Sequence, residues 1–447
     1  MGVIAALILF PLLTAFVILL TKNDAVRNMT VRVGAAGTAV LTLAVTGLYF
    51  KNGIAFSVRW EAAADFLMAV VEAAVAVYII TIGIRNKRYV VSVLSFVQTA
   101  AVLIFEFSGK AGTEVEKAIL FDKLTAVMVM IVGLVGSLIC IYAVGYMKTY
   151  HQHHKEFKER KSFFFSVLFL FLSAMFGIVL SNNLTWMYFS WELTTLCSFL
   201  LIGYTQTEEA KANSFRALVI NLAGGLAFGA AIIFIGRMYK TMELSVFTSM
   251  TPDPVILLPV FLLAFAALTK SAQLPFSSWL LGAMVAPTPT SALLHSATMV
   301  KAGVYLIIRL APLLGNNAVG KTVTYVGAVT FLACSLMAIS QSDAKKILAY
   351  STLANLGLIV ICASIGTQGS LWAAILLIIF HAVSKSLLFI SVGSAEHQIG
   401  NRNVENMDLL MGMSKGAGAL HDDRHCRNVS GSLWNAHIQM GGYEGFC

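Results

Sequence analysis

Charged residues are scarce in this sequence. They make up 12% of its 447 residues, whereas 58% are apolar and the mean hydropathy is +0.80. Because soluble proteins carry about 25% charged residues, the composition excludes a set of soluble domains. The apolar runs are about 20 residues long, which is the length of a membrane-spanning helix and not of an alternating barrel strand. The sequence therefore predicts an all-α polytopic membrane protein.

Cysteine is also scarce, and its spacing offers no site. The four cysteines within apolar segments have no close pair, so we expect small buried apolar residues; they are Cys140, Cys197, Cys334 and Cys362. No apolar segment carries the paired histidines of a haem site or a cysteine cluster for iron and sulfur. We therefore expect no cofactor and no metal. The net charge of +9 lies in loops and does not indicate nucleic-acid binding.

Long apolar segments follow one another through most of the chain. Thirteen are predicted, with ends uncertain by several residues: 2–20, 31–50, 65–84, 88–107, 122–146, 163–181, 184–204, 214–237, 254–285, 291–311, 321–340, 346–365 and 371–394. The first lacks the basic start and small-residue cleavage site of a signal peptide, so we expect it to be retained. Loops after odd-numbered segments hold fifteen basic residues against nine in the others. This bias predicts an N-terminus outside the cell.

The ninth segment is too long for one straight span. As a helix, residues 254–285 would measure roughly 48 Å at 1.5 Å per residue, against a hydrocarbon core of about 30 Å. Pro275 lies inside it and removes one backbone donor, so we expect a break near residues 271–275. Broken helices are tolerated at membrane depth only beside protein or water. Lys270 lies about one turn before the expected break.

Four ionisable residues lie near the middle of apolar segments: Glu192, Lys270, Lys301 and Lys385. A charge at that depth costs at least about 2.5–3.5 kcal/mol, so such residues face a protein interior and usually serve a function. Several amines at one depth, with one carboxylate to pair with, predict a path for protons or cations. The direct pair of Glu192 with Lys270 is the natural switch in such a path; the alternative is a structural pair that joins two helices.

Two histidines extend this set. His295 precedes Lys301 by six residues, which in a continuous helix gives about 9 Å along the axis and 120° of rotation. The two could line successive points of a path, or His295 could be a core histidine. His381 and Lys385 are spaced i, i+4 and so share one helix face.

Two acids are secondary candidates. Glu72 lies within the third segment, and Asp343 opens the twelfth, where capping the helix is the favoured interpretation. The histidine-rich run at 151–161 resembles a metal site at first sight, but lysine and arginine dominate its second half. We interpret it as a solvated cytoplasmic loop.

Five stretches identify a family. FDKLTAVMV, SWELTTLCSFLLIGY, LTKSAQLPFSSWLLGAM with its continuation to IIR, DAKKILAYSTLANLG and HAVSKSLLF lie in order within residues 120–410. They resemble the antiporter-like subunits of respiratory complex I, multi-subunit cation–proton antiporters and energy-converting membrane-bound hydrogenases. The resemblance implies two inverted repeats of five helices, the first at about 163–311 and the second incomplete. It also implies a proton relay through Glu192, Lys270, His295, Lys301, His381 and Lys385.

The resemblance also suggests a parent complex. PFSSWLLGAM is more similar to the hydrogenase branch than to complex I, so we expect a proton- or sodium-translocating, non-redox subunit of a redox-driven complex in a prokaryotic plasma membrane. Its partners would be other membrane and peripheral subunits. The alternatives are a subunit of a multi-subunit Na⁺/H⁺ antiporter and a non-conducting structural subunit.

Three regions are expected along the chain. Residues 1–121 form N-terminal transmembrane helices and residues 122–411 form the antiporter-like domain. Residues 412–447 are polar and lack the periodicity of a span. Since the family continues with further spans after the Lys385 helix, we interpret this tail as a frameshift or truncation, and expect it to be disordered.

Overall fold

The computed structural model describes residues 2–58, 60–109, 113, 115–153 and 156–407. The described chain is almost entirely helical. Its seventeen α-helices are α1 Gly2–Leu20, α2 Asp24–Tyr49, α3 Glu61–Arg85, α4 Tyr89–Ile104, α5 Lys123–Met130, α6 Gly136–His153, α7 Lys161–Leu180, α8 Leu184–Ile202, α9 Glu208–Tyr239, α10 Leu244–Thr248, α11 Leu257–Lys270, α12 Ser278–Gly282, α13 Thr288–Ser296, α14 Met299–Leu310, α15 Ala318–Ile339, α16 Ala344–Ile365 and α17 Gln368–Ile399. The predicted all-α membrane fold is confirmed, whereas the expected tail at 412–447 lies outside the described residues.

Short irregular elements interrupt or join the helices. π-helical turns occupy Phe105–Gly109 and Ile131–Val135, and 3-10 turns occupy Ala283–Val285 and Ala311–Leu313. Two short strands, β1 Ile54–Phe56 and β2 Ile119–Phe121, pair antiparallel with Ile54 opposite Phe121. The sequence did not predict this strand pair, because three-residue strands leave no periodic pattern.

Eleven helical stretches of the described chain are long and apolar enough to cross a membrane. One of them, Lys123–Gln152, joins α5 and α6 through a π-helical turn, and another, Thr288–Leu313, joins α13 and α14. Two of the thirteen predicted segments are not among the eleven: α8, which carries Glu192, and the broken segment of α11 and α12. The exact number of crossings therefore stays a prediction.

The helix that carries Lys270 breaks where the proline predicts. α11 ends at Lys270, the next helical residue is Ser278, and Pro275 lies between them. A second break, at Ala297–Thr298 between α13 and α14, was not predicted. There the backbone of Thr298 adopts φ −121° and ψ −113°, outside the helical region. Both helix interruptions consequently lie beside ionisable residues.

The two broken segments touch each other. A Cβ on Gly303 would lie 2.5 Å from the carbonyl oxygen of Ala267 and 2.6 Å from the amide nitrogen of Ser271. Only glycine permits this approach of α14 to the end of α11. The apolar window of Thr288–Leu313 is wholly buried, so α13 and α14 lie at the centre of the bundle. Large apolar side chains of α3, α4 and α15 are exposed, as expected for surfaces that face lipid.

A unit of three helices recurs at a constant spacing of 160 residues. Asn183 and Asp343 cap the second helix of each unit, and Thr207 and Thr367 cap the third, which has 32 residues in both. The third helices end at Lys240 and Gly400, each with a left-handed backbone. These equivalences support the predicted repeat.

Matching backbone bridges close the two units. Asn183 pairs with Glu243 in one, and Asp343 pairs with Asn403 in the other. A cleft of about 480 Å³ is lined by both Glu209, from the first turn of α9, and Asp343. The Asp343 bridge therefore lies at the end of the bundle where α9 begins, whereas the Glu243 bridge lies where α9 ends. The two units have opposite orientations.

Candidate functional site

Glu192 lies in the middle of α8 and is 5% exposed. Its Oε2 accepts a hydrogen bond from Nε2 of Gln98 on α4 at 3.0 Å. Its Oε1 packs against Gly225 of α9, where the absence of a Cβ leaves room for the carboxylate. Gln98 was missed at the sequence level, because an uncharged amide in an apolar helix gives a weak signal. The buried polar face of α4, which includes Ser95 and Thr99, could have indicated it.

Glu72 joins the same acidic region. It lies on α3, is 6% exposed, and interacts electrostatically with Glu192 and Glu106. Glu72 was a secondary candidate, and the structure places it beside the principal acid. The helices α3 and α4 thus contribute side chains to the site and are more than an outer layer.

Lys270 is fully buried at the C-terminal end of α11. Its Nζ donates to the carbonyl oxygen of Trp191 at 2.8 Å and to Oγ1 of Thr195 at 2.7 Å. The ammonium also lies 4.9 Å from the centre of the Trp191 ring. Lys270 therefore contacts the helix that carries Glu192.

The prediction that Glu192 and Lys270 form a direct ion pair is wrong for this structure. No pair within 4.0 Å joins them, because Thr195 and the Trp191 carbonyl take the ammonium while Glu192 turns towards Gln98. Successive residues of a helix point about 100° apart, so neighbours of Glu192 reach Lys270 when the carboxylate itself does not. The two charges still interact through space.

Lys301 and His381 form the tightest contact between the two repeats. Lys301 on α14 is fully buried, and its Nζ lies 2.7 Å from Nδ1 of His381 on α17. The carbonyl oxygen of Ile378 lies 3.4 Å from the same Nζ. Both residues were predicted, but their direct contact was not, since the sequence does not show which faces of α14 and α17 meet.

Lys385 lies one turn beyond His381 on α17, as its spacing predicts, and is 5% exposed. Its Nζ donates to Oγ of Ser351 on α16. Lys301, His381 and Lys385 are close enough for their charges to interact. The basic part of the site is thus built from α14, α16 and α17.

His295 is fully buried near the end of α13, with its ring centre 4.8 Å from that of Phe389. Neither ring nitrogen has a hydrogen-bond partner in the described chain. The expected spacing of 9 Å and 120° between His295 and Lys301 assumed one continuous helix. That assumption was wrong, because the chain leaves the helix at Ala297–Thr298 between them.

Asp343, the other secondary candidate, caps α16. Its side chain accepts a hydrogen bond from the backbone nitrogen of Lys346 at 3.0 Å. The capping interpretation is confirmed.

A triad of charged residues around the buried Lys345 lies at the same end of the bundle and was missed. Glu396 pairs with Lys345 at 3.5 Å and with Arg402 at 2.5 Å, and it accepts from Thr288 at 3.3 Å. Lys345 was counted as a loop residue, but it is fully buried. The triad joins the start of α16 to the last turn of α17, and Thr288 connects it to the start of α13.

Apart from this triad, the ionisable residues of the candidate site are segregated by sign. Carboxylates lie among α3, the end of α4, and α8, and amines and histidines lie among α13, α14 and α17, with Lys270 between the two sets. No group of three His, Cys, Asp or Glu residues within the described ranges could hold a metal ion. The arrangement can hold and transfer protons or bind small cations.

Comparisons with known proteins identify a family. The family model of the transmembrane region of NADH:quinone oxidoreductase and the Mrp antiporter matches residues 181–418, and a model of the N-terminus of complex I chain 5 matches residues 110–157. A Staphylococcus epidermidis protein named as an antiporter subunit, mnhA2, is 40% identical over 314 residues, covering 66% of this chain and 38% of that protein. The Na⁺/H⁺ antiporter subunit A1 of Staphylococcus haemolyticus is 34% identical over 353 residues, covering 75% of this chain and 43% of the relative.

Solved structures show the same fold. The Mrp complex from Dietzia sp. DQ12-45-1b contains a chain with a TM-score of 0.61 and 27% identity, matched over 84% of this chain and 46% of that one. An archaeal membrane-bound sulfane sulfur reductase has a chain with a TM-score of 0.58 and 18% identity, matched over 86% of this chain and 83% of the other. At that identity the second match shows the fold alone.

These relatives do not support the preference for the hydrogenase branch, and the antiporter alternative fits them better. The chain spans about 40% of the length of the curated relatives it matches. The matched family model nevertheless covers more than half of this chain, from residue 181 to residue 418. The chain is a multi-pass membrane protein that belongs to the NADH:quinone oxidoreductase/Mrp antiporter transmembrane family.

Proposed function

We propose that this chain is a proton-conducting membrane subunit of a multi-subunit Na⁺/H⁺ antiporter in a prokaryotic plasma membrane. The observation that carries the proposal is the contact of 2.7 Å between Lys301 Nζ and His381 Nδ1. It joins α14 to α17 at a point where both side chains are buried. A proton held by one nitrogen can pass to the other without crossing apolar space, since 2.7 Å is within hydrogen-bond reach.

The relay continues on both sides of this contact. Lys385 follows His381 by one turn, and its ammonium reaches Ser351, so a proton can move from α14 through α17 to α16. His295 stands on the other segment of the broken helix with two unpartnered nitrogens. Because buried polar atoms are normally hydrogen-bonded, these nitrogens indicate where water would link His295 to the lysines during transport.

Glu192 and Lys270 control the transfer of protons along this relay. Glu192 does not need Lys270 for its hydrogen bond, because Gln98 supplies one. Lys270 in turn is held by a carbonyl and a hydroxyl on the same helix. The two ions are therefore poised between separated and paired states, and a move of α11 at its break would switch between them. Each change alters how strongly Lys270 holds its proton.

The partners follow from the relatives. Their names describe subunits of Na⁺/H⁺ antiporters, and the Dietzia structure is a complex, so we propose other membrane subunits as partners of this chain. The bias of basic residues supports an N-terminus outside the cell. A redox-driven complex is the second candidate, favoured by the fold shared with a chain of a respiratory sulfur reductase. A structural subunit that does not conduct would leave the buried lysines without a role.

Inverted membrane vesicles that contain the chain in its assembled complex test this proposal. Addition of Na⁺ should release protons from acidified vesicles, as reported by a fluorescent pH probe. Lys270→Met should abolish this exchange, and Lys321→Met, at an exposed position of α15, should leave it intact.

Two results would contradict the proposal. Equal exchange with Lys270→Met and with the unaltered chain would show that the relay is not used. Proton movement only on addition of an electron donor, and none with Na⁺, would establish the redox-driven candidate instead.

A further inference from the structure

Two unpartnered oxygens converge beside Gly225. A Cβ built on this glycine would lie 3.0 Å from Oε1 of Gln98 and closer still to Oε1 of Glu192. Neither oxygen accepts a hydrogen bond, although Gln98 is 2% exposed and Glu192 is 5% exposed. A buried polar atom without a partner loses free energy relative to water, so two at one point need an explanation.

A third unpartnered oxygen belongs to the same region. Oε1 of Glu72 has no hydrogen-bond partner, and its carboxylate interacts with that of Glu192. The relay described above uses Glu192 alone and gives no role to Glu72 or to the oxygen of Gln98. Two carboxylates and an amide oxygen, all buried, are the oxygen ligands that hard cations take.

We propose that Glu192, Gln98 and Glu72 form a site for a monovalent cation of the Na⁺ class, with Gly225 leaving the space that the ion and the carboxylate need. The hydrogen bond from Gln98 Nε2 to Glu192 Oε2 orients both side chains, so that their other oxygens face the same space. The family match does not assign α3 and α4 to any function, since both matched regions begin after them. The site gives these two helices a role in ion binding.

This inference rests on the proposed antiporter function. It adds the step at which a cation is exchanged for a proton. A cation at Glu192 and the ammonium of Lys270 compete for one negative charge, because Lys270 interacts with that carboxylate. Binding of the cation therefore favours passage of the Lys270 proton towards Lys301 and His381. Departure of the cation favours reprotonation of Lys270. One cation is exchanged for one proton at this point, and no covalent bond is made.

Binding of radioactive ²²Na⁺ to the full chain in lipid nanodiscs tests the site, with choline as the competing inert cation. We expect saturable binding by the unaltered chain. Gly225→Ala would place a methyl group against both oxygens and should weaken binding by about tenfold or more, since the loss of one charged-group contact corresponds to roughly that factor. Gly229→Ala is the matched control: it lies one turn further along α9, and its Cβ would meet a methyl group of Val102 at 2.9 Å and the ring of Tyr188 at 3.9 Å, away from both oxygens.

A second pair of variants removes the amide oxygen itself. Gln98→Met keeps the length of the side chain and should weaken ²²Na⁺ binding to a similar degree. Gln273→Met alters another fully buried glutamine with an unpartnered oxygen, away from the acidic residues, and should bind as the unaltered chain does. Size-exclusion profiles show which variants fold.

The outcomes separate this inference from the proposed function. Absence of saturable ²²Na⁺ binding by the unaltered, folded chain overturns the cation site. Equal binding by Gly225→Ala and Gly229→Ala, or by Gln98→Met and Gln273→Met, overturns the assignment to these residues. Loss of exchange in Lys270→Met vesicles with no Na⁺ binding would sustain the proton relay and refute only the cation site.

Discussion

His381→Phe is the substitution that most directly tests the relay. His381 supplies the one side-chain nitrogen that the structure places next to Lys301, and phenylalanine keeps the ring while removing both nitrogens. Lys301 would then keep only the long contact of 3.4 Å to the Ile378 carbonyl. The lysine is fully buried, so water cannot replace the lost partner without opening the bundle.

The size of the effect follows from this loss. A hydrogen bond to a charged group contributes about 1.5–3 kcal/mol, and each 1.4 kcal/mol corresponds to a factor of ten. The fraction of chains with a proton on Lys301 should fall by roughly 10- to 100-fold. In the proposed relay each transported proton passes this residue, so we expect the transport rate to fall by about the same factor.

Proton movement in inverted vesicles measures this rate, with the amount of chain in the membrane determined by immunoblot. His397→Phe is the matched control on the same helix. That histidine packs edge-on against Tyr146 with ring centres 4.6 Å apart, outside the relay, so the control should transport at the normal rate.

A glutamine variant separates a relay from an anchor. In His381→Gln the amide oxygen can accept from Lys301, but the side chain cannot take up a proton and pass it on. We therefore expect this variant to fold normally and to transport as poorly as His381→Phe. Full transport by His381→Gln would show that the histidine only holds the lysine in place, and the reasoning would fail.

Two further predictions concern stability. Glu396→Ala should lower the free energy of unfolding by about 3 kcal/mol, because it leaves the fully buried Lys345 without its carboxylate. Thermal unfolding in detergent measures this effect. The control is Glu209→Ala, which removes an exposed acid that lines the cleft beside Asp343. Gly303→Ala should cost on the order of 3 kcal/mol, since its Cβ would meet the backbone of α11, whereas Gly145→Ala, with nothing within 4 Å, should be neutral or stabilising. Equal melting temperatures within either pair would contradict these contacts.

The order of the helices could be predicted because each long apolar run has to satisfy its backbone within itself. The break at Pro275 follows from the same local rule, since proline lacks a backbone donor. No proline lies at the break near Thr298, so the sequence did not predict it. This break depends on the close approach of α14 to the end of α11. Local chemistry therefore predicted one interruption and tertiary packing produced the other.

The candidate residues were predicted from the free-energy cost of a charge at membrane depth. This cost alone selected Glu192, Lys301 and Lys385. Uncharged partners gave no such signal, so Gln98 and Ser351 were missed. Lys345 was assigned to a loop because it lies close to a segment end, although its ammonium turns inward to Glu396.

By itself the sequence determined that this protein lies in a membrane, in which stretches its long apolar helices lie, and which side chains carry charge inside it. Those properties depend on composition and on interactions along a few turns of one chain. Only the tertiary structure decided that Lys270 binds Thr195 in place of Glu192, and that Lys301 meets His381 across the two repeats. Such contacts join residues far apart in the chain, and their geometry is set by how helix faces pack.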